Sequence, residues 1–314
     1  NFLGNAMQKN RILVVGIFVV DLSFYSEKLP ASGETVIGRN YIIGPGGKGS
    51  NQCVAISRSG GEVSFIARIG NDDFGKMGIE LYNNERISLD GLIISENDKT
   101  GSATIAIDDN GMNSIIVVPG ASSGLTENMI DQKLNLFKNS SICLTGFEVP
   151  LEVTKHALKI AKSNNLKTIL NPAPYFDIDN DTYKLVDYLT PNEHEASSLT
   201  GIKIKNHNDA RVAGRKICEL GVGTSIITLG EKGVLCTRSI DDYEGLYFPA
   251  FQLNNKVIDT VGAGDIFNGA FATAISNNMC VEDALNFANK AASISVTKPG
   301  AALSSPYKDE INKY

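Results

Sequence analysis

Apolar runs of strand length recur along the chain: "ILVVGIFVV" (12–20), "VSFIARIG" (63–70), "SICLTG" (141–146), "KTILNP" (167–172), "YLTPN" (188–192) and "SIITLG" (225–230). Between them lie segments with apolar residues at helical spacing, at 49–58, 74–85, 151–163, 209–220, 266–276 and 281–297. That alternation predicts a doubly wound α/β fold, a mostly parallel sheet flanked by helices on both faces.

Two stretches break the rhythm. "SATIAIDDNGMNSIIVVPG" (102–120) is two β-prone runs around Asp109, Asn110 and Gly111, a hairpin signal. "ETVIGRNYII" (34–43) is a second β-like stretch ahead of a glycine-rich loop. Together they predict a small β-sheet lid, from about residues 19–44 and 100–119, beside the main sheet. No repeat, low-complexity tract or Pro/Ser linker divides the chain, so residues 7–314 read as a single α/β domain. The leading "NFLGNA" reads as a remnant of an expression vector, with Met7 as the native start.

Composition narrows the partners. No run among the 314 residues approaches the roughly 18 to 20 apolar positions of a membrane span, so a soluble protein off the membrane is expected. The net charge of −6 comes from interspersed acids and bases without a basic face, which argues against nucleic acid. Cys53, Cys143, Cys218, Cys236 and Cys280 are widely spaced and form no CxxC pair, as expected of reduced thiols in a cytoplasmic protein. Three scattered histidines, His156, His194 and His207, offer no histidine metal site.

Four short stretches carry candidate chemistry. In "GPGGKGSNQ" (44–52), Gly44, Gly46 and Gly49 satisfy the G-x-G-x-x-G spacing of dinucleotide binding. The same residues also read as a flexible turn before a helix, or as a backbone that brings Lys48 and Asn51 against a polar ligand. In "TPNEHE" (190–195), Asn192 and Glu195 fit a helix cap of the Asn-x-x-Glu type. Glu195, at the carboxyl edge of a parallel sheet, also suits hydrated Mg²⁺. "TLGEKG" (228–233) is either a simple turn or a backbone laid against a nucleotide.

"DTVGAGD" (259–265) is harder to read as scaffold. Gly262 and Gly264 permit a tight turn whose amides form an anion site at a helix N-terminus. Asp265 sits beside it, and the helix dipole favours its ionised form. As an N-cap, Asp265 would stabilise the helix by ~1 kcal/mol but would not require both glycines. A carboxylate base against an anion hole is the equipment for phosphoryl transfer to an alcohol.

Taken together, "GPGGKGSNQCVAISRSGGEVSFIARIGNDDFG", "NPAP", "TPNEHE", "TLGEKG" and "DTVGAGDIFNGAFATAI" occur in an order that resembles the ribokinase-like (PfkB-type) carbohydrate kinase family, from about Arg11 to Tyr307. The resemblance implies that Asp265 is the catalytic base and that the amides of Gly262, Ala263 and Gly264 form the anion hole. It implies sugar contacts at Asp21, Gly47, Lys48, Gly49, Asn51 and Glu148. Nucleotide contacts are implied at Asn192, Thr228, Gly230, Gly233, Gly264 and Asn289, and a Mg²⁺-associated carboxylate at Glu195. For the family's ribokinase branch it further implies an activating K⁺ near Asp259, Val261, Ser295, Lys298, Gly300 and Ser304. A lid that closes over the sugar and pairs two subunits as a homodimer completes the picture.

One position departs from the pattern. The ribokinase branch commonly shows Gly-Ser-x-Asn-x-Asp after the first strand, and Val19 stands here at the asparagine. A sugar hydroxyl facing valine would lose a partner at a cost of about 1 to 3 kcal/mol. The deoxyribokinase branch is similarly apolar there, so 2-deoxyribose stands beside D-ribose as a candidate, and so does a mere packing role for Val19. The expected activity is ATP- and Mg²⁺-dependent phosphorylation of a pentose primary hydroxyl. A nucleoside kinase, a nicotinamide-dependent dehydrogenase using Gly44, Gly46 and Gly49, and a catalytically silent sugar-binding regulator are the alternatives.

Overall fold

A computed structural model describes residues 10–253 and 256–314. The leading segment read as a vector remnant lies outside the described residues.

The strands are β1 (Ile12–Val15), β2 (Val19–Tyr25), β3 (Asn40–Gly46), β4 (Val63–Gly70), β5 (Leu92–Ser95), β6 (Thr100–Ile107), β7 (Asn113–Gly120), β8 (Ile142–Gly146), β9 (Lys167–Asn171), β10 (Tyr188–Leu189), β11 (Thr224–Thr228), β12 (Val234–Thr237) and β13 (Leu246–Phe248). The helices are α1 (Lys48–Arg58), α2 (Asp73–Asn84), α3 (Glu127–Asp131), α4 (Leu134–Lys138), α5 (Leu151–Ser163), α6 (Asn180–Tyr183), α7 (Glu193–Thr200), α8 (His207–Glu219), α9 (Ala263–Ser276), α10 (Val281–Ser295) and α11 (Lys308–Asn312).

Nine strands form the main sheet in the order β13-β12-β11-β10-β9-β8-β1-β4-β5. Pairing is parallel from β11 to β5 and antiparallel only where β12 and β13 close one edge. The predicted doubly wound α/β architecture is therefore the observed one. Its cause is visible in β1, where Ile12 and Val14 pack in one buried cluster with residues of α1 and α9, while Leu13 and Val15 pack in another with residues of α5. A strand covered on both faces has no polar side to show, which is why the run reads as continuously apolar. Among the described residues, no helix is long and apolar enough to cross a membrane.

The single run 12–20 is two strands in two different sheets. The chain turns between Val15 and Val19 because the start of α1 presses against it: a Cβ on Gly16 would lie 2.8 Å from the Gly49 Cα, and the reverse holds for Gly49. Only two glycines allow that approach. Past the turn, β2 enters a separate four-stranded sheet of order β3-β2-β6-β7. The 102–120 hairpin is its β6–β7 arm, closed by Asp108, whose side chain accepts the amides of Asn110 and Met112. Of the stretch 34–43, only the part from Asn40 is strand.

This small sheet settles the reading of the G-x-G-x-x-G match. Gly44 and Gly46 lie inside β3, opposite Asp21 and Val19 of β2, rather than in a loop wrapped on a helix N-terminus. A dinucleotide fingerprint needs the latter.

Candidate active site

The polar residues singled out in the sequence gather where strands of the main sheet end. β8 delivers Glu148, β10 delivers Asn192 and Glu195, β11 delivers Thr228, and the N-termini of α1 and α9 arrive across the same edge. Open α/β sheets bind ligands at that edge.

The first turn of α9 is built around Asp265. Its N-cap is Gly262, in the left-handed region at φ 77°, where a Cβ would stand 2.8 Å from Ala301 Cα. No side chain caps the helix. Asp265, 5% exposed, instead accepts a hydrogen bond on Oδ2 from Asn51 Nδ2 at 2.9 Å. The N-cap reading of Asp265 therefore fails, and its carboxylate remains available. Ala263 N–H turns back to Thr260 O at 3.3 Å, whereas the amides of Gly264 and Asp265 find no acceptor among the described residues. A Cβ on Gly264 would meet nothing within 4 Å, so neither packing nor backbone strain requires glycine there. A side chain there would enter open space beside the cleft that Gly264 lines.

Charge concentrates around this turn. Lys48 is the central cation: the Asp265 carboxylate, and then Glu148 and Glu195, hold its ammonium above the ordinary lysine value against the effect of burial. Its backbone N–H donates to Glu148 Oε2 at 2.7 Å. Burial, and then the charge of Asp265, push the Glu148 carboxyl up to about 7 despite Lys48. The same two causes in the same order raise Asp21 to about 6. Asp265 itself is raised by burial, opposed by Lys48 and by hydrogen bonds from Asn51 and Gln52. The helix dipole favoured its ionised form in the sequence, but burial works the other way and Lys48 has to supply the counterbalance.

Two concavities lie near this turn. One is a narrow cavity of about 10 Å³ between Lys48, Gly49, Glu148, Gln52 and Asn171. Near it Asn51 Oδ1 is buried with no hydrogen-bond partner, an acceptor that a ligand hydroxyl would satisfy. The other is a cleft of about 410 Å³ that contains Thr228, Gly230, Gly233, Gly264 and Asn289. Its apolar walls, Phe251, Leu253, Val257 and Phe267, were not read from the sequence, where they carry no chemical signal. Asn192 is outside this lining.

Asn192 and Glu195 form a full capping box on α7, with Asn192 Oδ1 accepting Glu195 N–H and Glu195 Oε2 accepting Asn192 N–H, both at 2.8 Å. The cap reading thus holds, and among the described residues it leaves Glu195 Oε1 without a donor. Burial raises the Glu195 carboxyl, while the Asn192 amide and Lys48 pull it down. No cluster of three or more metal-ligating side chains exists among the described residues, so Mg²⁺ would sit on one carboxylate and otherwise on water or phosphate, the arrangement that ion prefers.

The residues assigned to a monovalent cation fall around the loop behind Gly262. Asp259 clamps it, accepting Val261 N–H on one oxygen and Gly300 N–H on the other, both at 2.9 Å. Ser295 and Ser304 donate to Ala292 O and Ala301 O, and Lys298 pairs with Glu310 at 2.7 Å. The carbonyls of Val261, Lys298 and Gly300 accept no hydrogen bond from the described residues, which fits an ion that takes oxygen ligands.

Comparison with known proteins gives this site a context. A family model described as pfkB family carbohydrate kinase matches residues 9–308. The ribokinase of Haemophilus influenzae is 38% identical over 278 residues, covering 88% of this chain and 89% of the relative. The deoxyribokinase of Salmonella typhimurium is 33% identical over 305 residues, covering 96% and 98%. Among solved structures, Arabidopsis thaliana ribokinase complexed with ribose and ATP matches at a TM-score of 0.90 and 32% identity, covering 96% of this chain and 97% of that one. The chain belongs to the pfkB family of carbohydrate kinases, and the dehydrogenase alternative falls with that assignment.

Proposed function

We propose that this protein transfers the γ-phosphoryl group of ATP to the primary hydroxyl of a pentose, D-ribose or 2-deoxy-D-ribose. The observation that carries the proposal is Asp265: a buried carboxylate, not engaged in capping its helix, bonded to Asn51 on the side of the narrow cavity and adjoining Gly264 on the side of the wide cleft. The sugar sits on Asp21, Gly47, Lys48, Gly49, Asn51 and Glu148, which leave a buried acceptor for one of its hydroxyls. ATP lies in the cleft along Thr228, Gly230, Gly233 and Asn289, and its γ-phosphate meets the amides at 262–264.

Asp265 orients the attacking hydroxyl and takes its proton, while the fixed amides hold charge on the moving group and need no reorganisation to do so. Lys48 opposes the burial that raises the Asp265 carboxyl and so favours its ionised form before the transfer. Mg²⁺ associated with Glu195 would offset phosphate charge, and K⁺ on the carbonyls of Val261, Lys298 and Gly300 would stiffen the loop behind Gly262.

Residues 7–314 act as one domain, with the small sheet as a lid. That sheet exposes Tyr41, Ile42, Ile43 and Ile115 to Val118, each 44–67% accessible, more apolar surface than a lone lid needs, which supports pairing of two subunits there. The five free cysteines support a cytoplasmic setting. A silent regulator would have no use for an uncapped base beside an anion hole.

Val19 supports either pentose. It is 4% exposed, and its Cγ1 lies 2.8 Å from where a Cβ on Gly101 would stand. The test is ADP release with ATP, Mg²⁺ and K⁺, comparing the two pentoses and a nucleoside panel, with Asp265→Asn as control. Faster turnover of 2-deoxyribose makes Val19 a specificity residue, and Val19→Asn should then shift selectivity toward ribose by about tenfold. Turnover of nucleosides alone would refute the pentose reading.

A further inference from the structure

Every residue of α9 from Asp265 to Ser276 is buried, and its exposed flank is confined to the first two residues. In that setting Asn268 is an anomaly, an amide 2% exposed where an aliphatic side chain would pack at no polar cost. Both ends of its amide are occupied. Oδ1 accepts the hydroxyl of Thr190 at 2.6 Å, and Nδ2 donates to the carbonyl of Gly264 at 2.8 Å.

Thr190, also 2% exposed, is held in turn: its N–H donates to Leu170 O at 3.0 Å and its carbonyl accepts Asn171 Nδ2 at 3.0 Å. The buried chain Asn171–Thr190–Asn268 therefore runs from the end of β9, past the end of β10, to one carbonyl in the first turn of α9. Thr190 is also two residues before Asn192, the cap of the helix that carries Glu195.

The carbonyl chosen matters. Gly264 C=O and Asp265 N–H belong to one peptide unit, and that N–H is a helix-end donor without an acceptor among the described residues. The same unit is joined directly to the Asp265 Cα. A hydrogen bond on the carbonyl fixes the tilt of the plane, and with it both a free helix-end donor next to the anion hole of residues 262–264 and the root of the base.

The geometry points to Asn268 and Thr190 as positioning residues for phosphoryl transfer: they fix the Gly264–Asp265 peptide plane against the sheet edge, acting through Asp265 and its amide without touching either substrate. This inference rests on the proposed kinase reaction. It requires the pair to matter for turnover more than for binding, because neither side chain lines either concavity.

Thr190→Val retains the shape of the side chain and removes only the hydroxyl. The expected result is a loss of kcat of roughly tenfold to a hundredfold, since small misplacements of reacting groups have effects of that order, with KM for ATP and sugar within about twofold of the parent. Thr190→Ser, which restores the donor, should recover most of the rate. Asn268→Leu should fall at least as far, and adding Thr190→Val to it should cost little more, the signature of two residues acting through one contact. Unchanged kcat in Thr190→Val, no recovery in Thr190→Ser, or a rise in KM with kcat preserved would each overturn the assignment. Should Thr190→Val fail to fold, Thr190→Ser against Thr190→Cys carries the same comparison of strong and weak donor. All rates are taken on whichever acceptor the parent protein phosphorylates fastest. A failed pentose assignment then shows in the parent's substrate panel, and a failed positioning role shows in the ratio of variant to parent.

Discussion

The two concavities on either side of Asp265, one lined by its chain neighbour Gly264 and the other by its countercharge Lys48, are built on opposite plans. The narrow one sets two ionisable side chains, Lys48 and Glu148, among glycines and the amides of Gln52 and Asn171, with Asp21 near by, and burial and their mutual charges shift the protonation of all three. The wide one is walled by glycine backbone, small side chains and apolar surface, and among the described residues no carboxylate other than Glu231 lines it. A sugar offers hydroxyls that must be told apart by hydrogen bonds, whereas a nucleotide offers a flat base and phosphates that backbone amides and apolar walls accommodate. On this account the charged pocket sets selectivity and the cleft supplies a preformed seat.

That contrast can be broken at its shared centre. Lys48→Met leaves Asp265, Glu148 and Glu195 without their common cation. Turnover should fall by about a hundredfold or more, with sugar KM rising far more than ATP KM. An equal rise in both would mean that Lys48 serves the cleft as much as the sugar pocket. Gly264→Ala acts on the other side. Its Cβ enters open space, so thermal stability should be preserved while kcat drops by about tenfold, because the methyl group intrudes where the phosphoryl group must approach the amides. Undiminished turnover would show that the space before Gly264 is not the transfer site.

The smallest effect concerns stability. The Glu148 carboxyl is raised to about 7 in the folded protein, so the folded state binds its proton more tightly than the unfolded chain does. Its contribution to folding is therefore full at low pH and is lost as the pH rises through about 7. Glu148→Gln, which still accepts the Lys48 amide but carries no charge, should melt about 1 to 2 °C higher than the parent at pH 8, with the gain shrinking toward pH 5. A lowered melting temperature at both pH values would show that the ionised form is stabilised in place.

Legibility in the sequence followed the same divide. Charged and glycine-rich stretches announce themselves because their residue types are unusual for scaffold, and Lys48, Asn51, Glu195 and Asp265 were all readable that way. The cleft walls Phe251, Leu253 and Val257 were not, since an apolar residue in an aperiodic segment looks like any other. The run 12–20 looked like one strand because its break depends on contact with Gly49, far along the chain. Asp265 shows a finer limit. Its helix dipole is a local property, visible in seven residues, while the burial that opposes ionisation comes from the packing of α1 against α9. Asn268 is inconspicuous in "IFNGAFATAI", whose helical period is evident and whose one amide side chain gains meaning only from Thr190.

The claim on which everything depends is that Asp265 takes the proton and does little else. The direct measurement is steady-state turnover of Asp265→Asn beside calorimetric binding of ATP and of the preferred sugar. The kcat should be lower by about 10² to 10⁴, with both affinities within a few-fold of the parent and an unchanged melting temperature. Near-parental turnover, or a collapse of sugar binding that accounts for the whole loss, would contradict that claim.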